Sequence, residues 1–230
     1  MTASRSLLSP PPLGARLRSL WIPKTAVLLG LSVGICVPYF LLQRVQLFPL
    51  RSPPVLPLDT AIAFDPVWIW PYVSLALLVP LAPLMATTRD ELARYARGLA
   101  LLCLACFAIF LLFPVEGPRG EAGAPAGLYG WIVARDRPSN SMPSLHAGLT
   151  VFSLLFGYRV LGESLVAGRH TAYVVLGSIW ALLILFSTLG TKQHWVLDLP
   201  PGVLLAALAH GWVWRTVPLG QAERVTLPAR

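Results

Sequence analysis

Stretches free of charged residues recur along the chain at 25–43, 66–88, 98–115, 142–158, 171–191 and 199–214, and Pro, Gly and charged residues gather between them. Each stretch is long enough, or nearly so, to cross a hydrocarbon core of about 30 Å at about 1.5 Å per residue. The pattern predicts an all-α, polytopic membrane protein whose six transmembrane helices pack in one bundle. Residues 1–23, rich in Ser, Pro and Arg, read as a mobile basic tail, 24–215 as the membrane domain and 216–230 as a C-terminal tail. The first apolar run follows Arg16, Arg18 and Lys24 and so has a rival reading as a secretory signal. Its 19 residues exceed a typical signal core and no small-x-small site follows it, so a retained helix is expected.

Composition agrees with the pattern, since 56% hydrophobic against 12% charged residues is too apolar for an ordinary soluble domain. Charge then orients the bundle. Six crossings put both termini on one face, and twelve of the 18 Lys and Arg residues fall there. With the acidic residues subtracted, that face carries the whole +8 of the chain and the other is neutral. The positive-inside rule makes the terminal face cytoplasmic and the loop between residues 115 and 142 extracytoplasmic. The basic excess is therefore a topology signal, and nucleic acid is not an implied partner. Cys36, Cys103 and Cys106 all lie inside apolar runs, and the Cys-x-x-Cys at 103–106 reads as packing; no metal site or cofactor is indicated.

Polar chemistry gathers at the outer face, in the 115–142 loop, in "PSLHAG" at 143–148 and in "STLGTKQHWVLDLPPG" at 187–202. His146 opens the fourth helix and His194 follows 48 residues later, after one passage in and one back. His194 and Asp198 are spaced four apart, so on a helix they share one face, with the carboxylate holding one ring nitrogen and the other free. That is the base-plus-orienter arrangement of a nucleophilic or proton-transferring histidine. The plain alternative is a buried hydrogen-bonded pair, although an ionisable residue in a membrane segment is by default a functional candidate. Ser144 and Pro143 have a structural reading as the cap and start of a helix, and it is compatible with phosphate binding at a helix N-terminus.

The Pro-Ser-Leu-His at 143–146 and the Ser-x6-His-x3-Asp ending at Asp198, in six apolar helices, resemble the type 2 phosphatidic acid phosphatase superfamily. The resemblance implies a metal-independent lipid phosphatase or phosphotransferase that works through a phosphohistidine. It assigns His194 as nucleophile, Asp198 as its orienting carboxylate and His146 as the acid for the leaving oxygen. Ser144 and the backbone N–H groups after Pro143 would hold phosphate oxygens, and Ser187 matches the serine opening the third motif.

Two cations of the family's familiar form are missing, because Thr188 and Gly130 stand where that form has Arg and Lys. Arg137-Pro138 matches the Arg-Pro of the first motif, with a shorter gap to Pro143. Phosphoryl transfer requires positive charge around the equatorial oxygens, and Lys192, Arg119, Arg135 and Arg137 are the candidates on that face. Lys192, two residues before His194, is expected to take the place of the third-motif arginine. Leu145, "FPVEGPR" at 113–119 and Lys-Gln-His at 192–194 look more like the branch that contains the inositol phosphorylceramide synthases. The implied substrate is a lipid phosphate in the bilayer, with an alcohol acceptor if the reaction is transfer. A non-catalytic lipid-binding or transport protein is the rival of another class, although no internal repeat supports transport. Pro200 and Pro201 are expected to distort the sixth helix below the His-Asp pair, or else to mark its start.

Overall fold

The structure, a computed structural model, describes residues 13–119, 127–162 and 167–215. Its elements in order are α1 (Leu13–Arg18), α2 (Trp21–Leu42), α3 (Pro57–Ala61), α4 (Ile69–Val73), α5 (Leu75–Leu84), α6 (Arg89–Leu112), α7 (Gly127–Val133), α8 (Leu145–Gly162), α9 (Ala167–Gly190) and α10 (Leu199–Arg215), with 3-10 turns at Pro66–Trp68 and Val196–Asp198. Six spans are long and apolar enough to cross a membrane, and the described residues contain isolated bridges but no strand. The second span is assembled from the 3-10 turn at Pro66 together with α4 and α5, which meet at Ser74.

The third span begins nine residues before its charge-free stretch. Thr88 caps α6, accepting from Glu91 N–H at 3.1 Å, while the Glu91 carboxylate returns to Thr88 N–H at 3.2 Å. This reciprocal box satisfies donors that a helix start otherwise leaves orphaned. Further along the same charged turn, Arg94 is buried with Asp90 at 2.7 Å and Val213 O at 2.7 Å. The helix thus carries polar residues that its apolar stretch excludes.

The most buried span is α8, which packs against α5, α6, α9 and α10. Phe152 and Phe156 of α8 and Tyr95 of α6 lie at its core, and the Tyr95 hydroxyl donates to Val79 O at 2.6 Å. Where α10 crosses the start of α8, a Cβ at Gly202 would run into the Ser144 carbonyl. Glycine permits that approach, and it lets Ser144 N–H reach Asp198 O at 2.8 Å. The start of α8 and the residues before α10 are thereby joined.

One expectation changes, and a second resolves to its alternative, the prolines marking the start of the sixth helix. Of the segment assigned to a mobile tail, residues 13–18 and 21–23 are helical; Arg16 ties α1 down by donating to Met85 O at 3.0 Å, and Lys24 just beyond the segment donates to Leu84 O at 2.8 Å. Residues 1–12 and the tail 216–230 lie outside the described residues. Pro200 and Pro201 bend no continuing helix, since α10 starts at Leu199 after a separate 3-10 turn and the prolines occupy its first turn. There a missing N–H breaks no intrahelical bond.

Candidate functional site

The end of α9 sets the site. After Gly190 the chain reverses through Lys192, whose φ of 54° is left-handed, and the N–H groups of Gln193 and His194 both return to Thr188 O, at 3.0 and 3.1 Å. A helix end commonly closes in this way with glycine in the left-handed position; here the residue is lysine. Its ammonium donates to the carbonyls of Asp59 and Ile62, at 2.6 Å each. The turn therefore directs Lys192 towards α3, and it is not among the side chains that line the pocket. This departs from its expected place beside the phosphate.

Asp59 reinforces the same junction. Its carboxylate accepts from Leu56 N–H and from Val196 N–H, both at 2.8 Å, so α3 grips the segment just past His194 from the side. No motif marks Asp59, and its partner is 137 residues away.

His194 and Asp198 meet, but not on a helix face. His194 sits in the bend and Asp198 ends the 3-10 turn, with Nδ1 and Oδ2 3.4 Å apart. A nearer acceptor is the backbone carbonyl of Ser141, 3.0 Å from Nδ1. A carbonyl can only accept, so this contact assigns the proton to Nδ1 and leaves the Nε2 lone pair free. The Ser141 hydroxyl donates to Asp198 Oδ2, which also takes Trp195 N–H at 2.8 Å. Asp198 is fully buried, and three groups from two segments fix its position.

His146, at the second residue of α8, stacks on Tyr72 with centroids 4.0 Å apart and lies 6.0 Å from the His194 ring. Ser144 is buried and accepts from Ala147 N–H at 3.2 Å, the helix-capping role. Ser187 is also buried, donating to Ile184 O at 2.6 Å. Neither serine lines the pocket.

Beside His194 lies a small pocket, lined among others by Arg119, Arg137, Asp136, Tyr39 and Tyr72. Arg119 is held at both ends of its guanidinium, donating to Gln193 Oε1 at 2.6 Å and to Asp136 O at 2.8 Å. Arg137 borders the pocket with an exposed side chain, whereas Arg135 turns onto the Trp131 ring, 4.1 Å from its centroid, and does not line the pocket. Tyr129 of α7 lies below Gln193 and donates to Thr191 O at 3.1 Å. Burial raises its phenol pKa, against the pull of the Arg119 charge, so it stays a donor.

Of the sequence candidates the structure brings His146, His194, Asp198, Arg119 and Arg137 to one end of the bundle, together with Ser141, Gln193, Asp136, Tyr39 and Asp59, which sequence reasoning did not single out. Ser141 and Gln193 adjoin motif residues, and that adjacency was the available signal. Among the described residues no group of three or more His, Cys, Asp or Glu side chains is arranged to hold a metal ion.

Fold and site together define a polytopic helical membrane protein in which a histidine backed by a buried carboxylate lines an arginine-bearing pocket, an arrangement suited to phosphoester chemistry. The sequence matches the PAP2 superfamily over residues 52–212, and the chain belongs to that family, the type 2 phosphatidic acid phosphatases. Membership supports a phosphatase- or phosphotransferase-type activity on a lipid phosphoester. Comparison with curated proteins and with solved structures finds no match.

Proposed function

We propose that the protein hydrolyses a phosphoester of a lipid phosphate at the extracytoplasmic face through a phosphohistidine on His194. The observation that carries this reading is the anchoring of Nδ1 by Ser141 O at 3.0 Å in a histidine that lines a pocket with Arg119 and Arg137. Nε2 attacks phosphorus and the bond to the leaving oxygen breaks. His146 passes a proton to that oxygen, and the alcohol departs with its chains in the bilayer. Water then attacks the phosphohistidine, His146 takes the proton, and orthophosphate leaves. Arg119 and Arg137 supply charge to the equatorial oxygens, with Asp198 and Ser141 keeping the nucleophile in register.

Phosphate release from a panel of lipid phosphates tests the reading. Turnover of at least one is expected in the presence of chelator, and the absence of turnover on all would refute it. A second reading, transfer of the phosphoryl head group to an alcohol, is favoured by Leu145 and the Lys-Gln-His at 192–194. It shares the covalent intermediate and differs in giving a product that depends on added acceptor. Conversely, function that survives substitution of His194 would favour a lipid-binding or transport protein.

The face follows from charge. Contacts such as Arg16 with Met85 gather the two described termini and the start of α6 at one end of the bundle, and the site lies at the other. Twelve of 18 basic residues belong to the terminal end, which supports its being cytoplasmic. Ala134→Cys, in a protein lacking the native cysteines, is expected to react with an impermeant thiol reagent in intact cells. Labelling only after lysis would place the site in the cytoplasm.

A further inference from the structure

The first membrane helix is peripheral. It packs mainly on α6, and most of its side chains are open to the surroundings. Within residues 21–43 two side chains are buried, Lys24 near one end and Gln43 at the other, and both are polar. An amide is costly to bury unless its hydrogen bonds are made, and Gln43 makes them on both sides. Its Oε1 accepts from the backbone N–H of Arg137 at 3.1 Å, which fixes the amide orientation, and its Nε2 donates to Asp136 Oδ1. One turn earlier, the Tyr39 hydroxyl donates to the same oxygen at 2.9 Å. The other carboxylate oxygen and the carbonyl of Asp136 face Arg119 Nη2, at 3.4 and 2.8 Å. Asp136 and Arg137 are more than 90 residues from α2 in the chain, and the family match begins at residue 52, after the helix has ended.

We propose that Tyr39 and Gln43 are positioning residues of the site: they latch Asp136 and the Arg137 backbone to α2, and so hold the Arg119 guanidinium where a phosphate oxygen binds. The inference rests on the oxyanion reading of the Arg119 pocket. Asp136 is the hinge of the device, because a carboxylate beside an anion site is tolerable only when donors other than Arg119 occupy it. With Tyr39 and Gln43 bound to Oδ1, Asp136 orients Arg119 through Oδ2 and its carbonyl without consuming the whole guanidinium. Without them the carboxylate is free to swing onto Arg119 and compete with substrate.

The test uses the full-length protein in detergent or nanodiscs and reads both kcat/KM on a lipid phosphate and the affinity for orthovanadate. Gln43→Leu keeps the size and loses the amide. It is expected to lower kcat/KM and to weaken orthovanadate about tenfold, the scale of a hydrogen bond made to a charged group. In an Arg119→Ala background the same change is expected to cost less than about twofold, because the latch acts through Arg119. Equal losses in both backgrounds would mean a merely structural role and overturn the proposal, as would wild-type values for Gln43→Leu. If Gln43→Leu is not recovered folded, Tyr39→Phe, which removes one hydroxyl, is held to the same non-additivity. A wild-type protein that neither turns over the panel nor binds orthovanadate sinks the functional reading itself. A wild type that does both, with indifferent Gln43 and Tyr39 variants, sinks the latch alone.

Discussion

His194→Ala is expected to reduce turnover to background and to remove the proposed covalent phosphoprotein with it. The imidazole is the one group that lines the pocket with its far nitrogen already committed, Nδ1 lying 3.0 Å from Ser141 O. Among the described residues that line the pocket, no other nucleophile is prepared in that way. Single-turnover quenching with labelled substrate is expected to yield an acid-labile, alkali-stable phosphoprotein in wild type and none in the variant. The carboxylate has a smaller share than its spacing implies, because it stands 3.4 Å from Nδ1 and is the second acceptor. Asp198→Asn is therefore expected to leave a measurable rate, reduced about 100-fold, since the Ser141 carbonyl still selects the tautomer. Labelled phosphoprotein persisting in His194→Ala would show that another residue is the nucleophile.

The six spans were legible because a bilayer imposes a length and a polarity that few other structures share. Their ends were less so. The start of α6 lay beyond the apolar run because the Thr88–Glu91 box and the buried Arg94 place charge inside the helix. Motif residues could be named individually, yet their mutual placement depended on turns that residue spacing does not encode. The interval of four from His194 to Asp198 suggested one helical face; the pair is brought together by a bend and a 3-10 turn, with Ser141 from another segment between them. Lys192 illustrates the same limit, because its left-handed φ reverses the chain and carries the side chain away from its neighbour in sequence. Gln43 and Asp136 were beyond reach, as 93 residues separate the partners and no local pattern joins them.

Arg119→Ala is expected to cost about 100-fold or more in kcat/KM, the scale of losing one transition-state charge contact, while Lys192→Gln keeps turnover near wild type and lowers thermal stability. The sequence alone favoured the opposite, since Lys192 is two residues from His194 and Arg119 is 75. Geometry reverses the order. Arg119 lines the pocket with its guanidinium braced by Gln193 and Asp136, so it meets developing charge without first paying to become ordered. The Lys192 ammonium is spent on two carbonyls of the 59–62 segment, and its removal leaves those acceptors short of a charge-assisted donor. Arg119→Lys separates charge from shape: it keeps the cation, but a single ammonium cannot reach Gln193 and Asp136 together, so an intermediate rate is expected. Steady-state kinetics and thermal melts on the same detergent preparations read both effects. A Lys192→Gln protein that melts like wild type but turns over about 100-fold more slowly, beside an Arg119→Ala protein of near-normal rate, would return the phosphate contact to Lys192.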